Sequence, residues 1–167
     1  KLILGMDIKN LQQTAQNIRR DIITLLIKAQ SGHSGGSLSC TDLATALYFE
    51  ILNHKPDQPD WENRDFSFFS IGHVSPLIYS VLAESGYFPL KDLMTFRTFG
   101  SHLEGHPKSG GTPGIEVSSG SLGQGLSVGV GMALTAKTDN KDHIVCVICG
   151  DGELQEGSVW EAAMSAS

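Results

Sequence analysis

No run of lysines or arginines interrupts this sequence: its 12 basic residues are scattered among 18 acidic ones, giving a formal charge of -6 and a pI of about 5.4. Partners with a phosphate backbone or an anionic surface, nucleic acid and membrane alike, are therefore not expected. Long hydrophobic runs are missing too, since no apolar stretch approaches the roughly 20 residues of a membrane span. The opening KLILGMDIKN has neither the apolar core nor the small-residue cleavage site of a secretory signal. A soluble, cytoplasmic protein is the expectation. Cysteine is scarce as well: three residues cannot all pair with one another, and nothing in the composition demands a disulfide scaffold. Two of them, Cys146 and Cys149, form a C-x-x-C pair in HIVCVICG. That β-branched run reads as a buried strand, where residues three apart point to opposite faces, rather than as a redox turn or a zinc knuckle. Also absent are G-x-x-x-x-G-K-[ST], a G-x-G-x-x-G after a strand, and the G-x-S-x-G elbow, which removes the common nucleotide, dinucleotide and acyl-transfer motifs.

What is present suffices for one globular domain: 167 residues, 40% of them hydrophobic. Leu11, Ala15, Ile18, Ile22, Leu25 and Ala29 recur at helical spacing, and SGHSGGS stops that helix. TDLATALYFEIL reads as a second helix with Leu43, Ala44, Leu47 and Ile51 as its apolar face, ended by the prolines and aspartates of NHKPDQPD. RDFSFFSIGH reads as a short strand and a turn, followed by a helix with Ser75 as N-cap, Pro76 at its first position and Gly86 just past its end. Residues 100–125 hold too much glycine and proline for a regular element and read as an ordered or binding loop. GLSVGVGMALTAK then resumes as a helix in which Gly125, Gly129 and Gly131 each cost about 1 kcal/mol relative to alanine, so close packing against another backbone is expected as compensation. DHIVCVICG is the next strand, GDG a turn, and Ser158 with Glu161 a capping box for a last helix. Helices alternating with buried strands predict an α/β fold with a mainly parallel sheet flanked by helices.

Chemistry concentrates in a few places. Asp151 sits between Gly150 and Gly152 directly after a buried strand, at the carboxyl end of the predicted parallel sheet, where such folds bind ligands. An acidic chain does not hold a pyrophosphate by arginine alone, and an aspartate-held divalent cation bridging to phosphate oxygens is the physical solution. On its own, Gly-Asp-Gly is also an ordinary tight turn. Three histidines directly follow glycine in loops: His33, His73 and His106. Each imidazole can donate to a phosphate or hydroxyl, or accept a proton near neutral pH. His54, His102 and His143 lack that setting and read as structural or solvated. His102 and His106 are four apart, but glycine and proline around them spoil the helix a zinc pair needs.

Read in order, SGHSGG, FFSIGHVSPLIYS, EGHPK with TPGIEVSSGSLGQGLSVGVGMAL, and GDGELQEGSVWEAA resemble the coenzyme-binding half of transketolase, from about Lys9 to the last residue. The forms GSLGQG and GDGELQEG and the short loop at 101–111 are similar to the separately encoded amino-terminal transketolase subunits of bacteria and archaea. The resemblance implies a thiamine-diphosphate-binding fold and transfer of a two-carbon ketol unit from a ketose phosphate to an aldose phosphate. It implies that Asp151 binds the divalent cation (Mg2+, or Ca2+ or Mn2+), that Gly150 and Gly152 shape the turn beneath the diphosphate, and that an asparagine some thirty residues on completes the metal site. By the same resemblance His73 contacts the diphosphate, and His33 and His106 line the substrate channel and meet the donor's hydroxyls. Gly120, Ser121 and Leu122 form the turn whose backbone seats the aminopyrimidine ring, with Ser121 standing where many members have proline. Glu156 and Glu161 match acidic residues that link paired active sites.

The glutamate that activates the coenzyme in this family comes from a pyrimidine-binding domain on a partner chain, so a carboxy-terminal partner subunit is implied. A homodimer of this subunit within a heterotetramer, inactive without that partner, follows from the resemblance. Residues 1–167 are expected to be a single diphosphate-binding domain, incomplete at its C-terminal end because the last helix lacks a following strand. Another thiamine-diphosphate enzyme, such as 1-deoxyxylulose-5-phosphate synthase, or a non-catalytic assembly subunit would share the diphosphate motif. The loops favour transketolase, and the joint presence of the three histidines and Asp151 favours a working site.

Overall fold

The structure is a computed structural model and describes residues 7–167; the absence of a signal in residues 1–6 lies outside the described residues. Helix α1 spans Ile8–Ala29. Its expected stripe is inward, with Ala15, Ile18, Ile22 and Leu25 buried and Leu11 and Ala29 half-buried. Gln30 ends it in the left-handed region at φ 51, and Gly32, at φ 129, swings the chain into the segment that carries His33.

Two short helices follow, α2 (Gly35–Ser39) and α3 (Thr41–Ala46), the latter running into a π-helical turn over Leu47–Ile51. The helix expected over residues 41–52 is present but changes from α to π winding at Leu47, α2 begins within SGHSGGS where only a stop was expected, and the apolar face is shifted. Leu43 and Ile51 are 53% and 52% exposed, while Ala44, Leu47 and Tyr48 are buried. Thr41 and Thr45 take the inward positions because their hydroxyls donate to the carbonyls of Ser37 and Thr41, four residues back, which satisfies them without water.

Strands β1 (Phe66–Phe69) and β2 (Val145–Ile148) pair in parallel, with Phe66 opposite Val145 and Phe69 opposite Ile148. The α/β expectation holds, with a sheet of two strands among the described residues. β2 is half-buried rather than buried, since β1 is its one neighbour in the sheet. Cys146 on β2 and Cys149 just past its end are free thiols, their pKa values both pushed up by burial.

Helix α4 (Ser75–Glu84) is the centre of the core: Leu77, Tyr79, Val81 and Leu82 are fully buried against Ile18, Ile22 and Leu25 of α1 and the Phe69–Ile71 end of β1. Ser75 is not its N-cap but its first residue; the hydroxyl donates instead to the Gly105 carbonyl at 2.7 Å. Gly86 lies just past the end at φ 95, as expected. Helix α5 (Gly125–Thr138) carries the three glycines. A Cβ on Gly125 would run into Ser70 and one on Gly129 into Val147 of β2, so the close approach is to side chains of the sheet, whereas Gly131 faces open space. Helix α6 (Gly157–Ala166) begins without a capping box: Glu156 occupies the cap position, and the Ser158 hydroxyl donates to the Gly123 carbonyl at 2.9 Å. Both serines look like caps locally, but a tertiary carbonyl takes each hydroxyl. No described helix is long and apolar enough to cross a membrane.

Candidate active site

Three loops bring the glycine-linked histidines together. His73 lies in a 3₁₀ turn (Gly72–Val74) immediately beyond β1. The His33 and His73 rings meet edge to face, 5.5 Å between centroids. His106 joins them from the glycine-rich middle loop: its acidity responds to both other imidazoles and to Arg97. Helix α4 fixes that loop, because Ser75 binds the Gly105 carbonyl and the Tyr79 hydroxyl donates to the Glu104 carbonyl at 2.9 Å. The Ser119 amide in turn donates to the Pro107 carbonyl at 3.1 Å, and Gly120 leaves room for the His106 ring. A Cβ on Gly72 would overlap the Ser119–Gly120 backbone, so glycine is required for the His73 turn to lie against this segment.

Sequence reasoning missed Arg97. At φ 58 it sits in the left-handed region, its Nη1 donates to Ser31 Oγ at 2.6 Å, and its Nη2 reaches the Gly105 carbonyl at 3.5 Å. One guanidinium thereby ties the loop before His33 to the loop before His106. The His106 pKa is lowered, first by burial and then by the positive charge of Arg97 and the neighbouring imidazoles. A neutral imidazole here can accept a proton or a hydroxyl hydrogen near pH 7. No local pattern marks Arg97; it is simply a basic residue within TFRTFG until the fold is known.

The carboxyl end of β2 carries the other half of the site. Asp151 is exposed between its glycines, and its carboxylate has no hydrogen-bond or ion-pair partner among the described residues, while a Cβ on Gly152 would meet nothing within 4 Å. Beneath it lies a second residue that sequence reasoning missed. Glu153 is only 2% exposed. Its Oε1 accepts from the Gly123 amide at 2.8 Å and from the Ser70 hydroxyl, and its Oε2 accepts from the Gly150 amide at 3.1 Å. Ser70 Oγ also accepts from the Gly125 amide at 3.1 Å. The end of β1, the Gly120–Gly123 turn and the Gly-Asp-Gly turn thus meet on one buried carboxylate. Gly150 is three residues away, but Gly123 and Ser70 lie 30 and 83 residues away, beyond the reach of any motif.

Ser121 and Leu122 are exposed in the turn above this network. Beside it, an open cleft of about 270 Å³ is lined by Ser70, residues 117–121, Gln124, Gly125 and Val128. Glu156 and Glu161 are exposed at the start of α6 and stand apart from the imidazole cluster on another element. The three other histidines are tied into structure. His54 bonds the Tyr87 hydroxyl and the Tyr48 carbonyl, His102 lies at Thr112 and Asp92, and His143 packs on Phe66. Among the described residues no three histidines, cysteines or carboxylates gather into a ready-made metal cage.

An α/β domain with glycine turns, imidazoles and one free aspartate at the carboxyl ends of neighbouring parallel strands belongs to the architectures that hold a phosphorylated coenzyme. Residues 10–167 match the family described as "Transketolase, thiamine diphosphate binding domain". The chain is 43% identical over 162 residues to an apulose-4-phosphate transketolase subunit of Phocaeicola vulgatus, a match covering 97% of this chain and 57% of that protein. It is 43% identical over 157 residues to a 6-deoxy-6-sulfo-D-fructose transketolase subunit of Clostridium sp., covering 94% and 57%. The crystal structure of transketolase from Campylobacter jejuni superposes with a TM-score of 0.90 at 39% identity, over 96% of this chain and 26% of that one. The chain belongs to the transketolase family and carries its thiamine-diphosphate-binding domain. It spans little more than half the length of the subunits it matches.

Proposed function

We propose that this chain is the coenzyme-binding part of a transketolase that moves a two-carbon ketol unit from a ketose phosphate to an aldose phosphate. The observation that carries the reading is the convergence of His33, His73 and His106 beside the Gly120–Gly123 turn, which a single carboxylate joins to the Asp151 turn. The coenzyme, when bound, supplies a carbon nucleophile and an electron sink for the two-carbon unit. The chain's own residues position and protonate. His73 donates to the diphosphate, and Leu122 and its neighbours offer backbone to the aminopyrimidine. His33 and neutral His106 hold donor hydroxyls, with a His106 ring nitrogen able to take up a proton and return it.

A divalent cation fits Asp151. The carboxylate is exposed, free of internal partners and set in a turn open enough for phosphate oxygens to approach. One carboxylate plus substrate-borne phosphate oxygens is the usual arrangement for Mg2+, with further ligands from water and from an asparagine of the family pattern. The cation would neutralise the diphosphate in a chain of net charge -6.

Two relatives are named as subunits, and we assign this chain a partner subunit bearing the pyrimidine-binding domain and the activating glutamate. We assign Glu156, at the cap of α6, and Glu161, in its second turn, both exposed, to a face toward a second copy. The test is calorimetric titration of thiamine diphosphate with Mg2+ into the native protein, alone and mixed with the candidate partner, followed by a ketol-transfer assay. Turnover confined to the mixture supports the reading; coenzyme binding with no turnover in any mixture leaves a non-catalytic assembly role instead.

A further inference from the structure

We propose that Glu153 is a positioning residue for the coenzyme site, acting through the Gly123 and Gly150 amides to set the distance between the aminopyrimidine turn and the metal turn. The inference rests on the function proposed above but concerns a residue to which that reading gives no role. Glu153 touches neither substrate nor coenzyme in this account: it lies beneath the site, 2% exposed, at the start of a 3₁₀ turn (Glu153–Gln155).

The chemistry of the side chain explains why a carboxylate stands there. Three donors converge on it: the Ser70 hydroxyl, the Gly123 N–H and the Gly150 N–H. A carboxylate offers acceptors only, on two oxygens that face opposite ways, so it can satisfy donors from both turns at once. Charge-assisted bonds of this kind are about twice as strong as neutral ones, and each buried donor left unpaired carries a desolvation penalty. The carbonyls of the same two glycines are also engaged, Gly123 by the Ser158 hydroxyl and Gly150 by the Leu154 amide at 3.2 Å. The peptide planes on either side of each glycine are therefore held, one through its N–H and the next through its C=O. Asp151 follows Gly150 and Leu122 precedes Gly123, so a shift at either plane displaces a group assigned to cation or coenzyme. Local backbone preference cannot supply this rigidity, because glycine at Gly123, φ 84, has the widest freedom of any residue.

The substitution Glu153→Gln is the sharpest probe. Glutamine keeps the length but replaces one acceptor oxygen by an N–H donor, so either the Gly150 side or the Gly123 and Ser70 side loses its acceptor. In the full-length protein the expected result is a roughly 10- to 100-fold weaker affinity for thiamine diphosphate and a higher Mg2+ concentration for half-saturation, the scale seen when outer-shell partners are lost. Ile22→Val, buried on α1, serves as a stability control and is expected to lower the melting temperature without changing coenzyme affinity. Coenzyme and Mg2+ affinities in Glu153→Gln equal to wild type would overturn the proposal.

Amide hydrogen exchange of the coenzyme-free wild-type protein provides a second readout that needs no variant. Slow exchange at Gly123 and Gly150 is expected, and exchange as fast as in an exposed loop would overturn the proposal even if Glu153→Gln failed to fold. A wild-type protein that does not bind thiamine diphosphate would remove the function proposed above, while protected Gly123 and Gly150 amides would still show the network to exist.

Discussion

At the scale of single residues, the site is built by satisfying hydrogen bonds at a distance. Arg97 is the clearest case, since its fork joins Ser31 to the Gly105 carbonyl and its charge acts on His106. Replacement by methionine keeps much of the apolar stem and removes the charge. The His106 pKa is expected to rise toward the ordinary histidine value in Arg97→Met, read by NMR titration of the ring protons; no movement would mean that burial and the neighbouring imidazoles set it without Arg97. The sign for stability follows: a histidine with a depressed folded pKa binds fewer protons than in the unfolded chain, so acidification through the ordinary histidine range costs stability. The histidine loops and the Asp151 turn were legible in the sequence because glycine beside a chemically active residue is a local signal. Arg97, Ser70 and Glu153 were not, because each acquires its role from at least one partner between 55 and 83 residues away.

Between elements, one pairing gives α1 and α4 a pH dependence. Asp21 of α1 faces Glu84 at the end of α4, and its Oδ2 is buried without a hydrogen-bond partner of its own. Burial first, then the Glu84 charge and a carboxyl-to-carboxyl hydrogen bond, push the Asp21 pKa up to about 6 from 3.8. The folded chain therefore binds more protons than the unfolded one in that window, and the stabilisation is full below it and lost as pH rises through about 6. Asp21→Asn, whose amide can donate to Glu84 at every pH, is expected to add on the order of 1 kcal/mol at pH 8, less than the full shift because solvent screens the pair, and little at pH 4. Urea unfolding at the two pH values checks this, and an unchanged pH profile would dismiss the pair.

A second element-scale prediction concerns Gly72, where an added Cβ meets backbone that cannot yield. Gly72→Ala is expected to cost about 1–3 kcal/mol and to weaken coenzyme binding by prising the His73 turn from Ser119–Gly120. Unaltered affinity would show that contact to be dispensable. Helix α1, strand β1 and the small-residue helix α5 were readable from periodicity and composition. The caps were not: Ser75 and Ser158 match the local pattern, but carbonyls of distant loops compete successfully for their hydroxyls. The α3 face was misplaced for a related reason, since the buried Thr41 and Thr45 read as polar until their hydroxyls are seen to bond carbonyls four residues back.

For the molecule as a whole, burial is uneven. The α1, α4 and β1 side forms a dense core, whereas β2 is half-buried and α5 and α6 leave Leu134, Trp160 and Met164 at 57%, 61% and 70% exposure. The parallel order of the strands still brings both carboxyl ends to one edge, which is why residues from 33 to 151 meet there. That common edge was predictable from alternating elements and from an aspartate placed just after a strand; the small extent of the sheet was not, because strand count depends on pairing rather than on pattern. The assigned site is tested most directly by the affinity of thiamine diphosphate for the native protein, measured with and without Mg2+, in wild type and in Asp151→Ala. Metal-dependent binding in wild type and none detectable in a folded Asp151→Ala is the predicted result. Equal, metal-independent affinity in the two proteins would contradict the site as described.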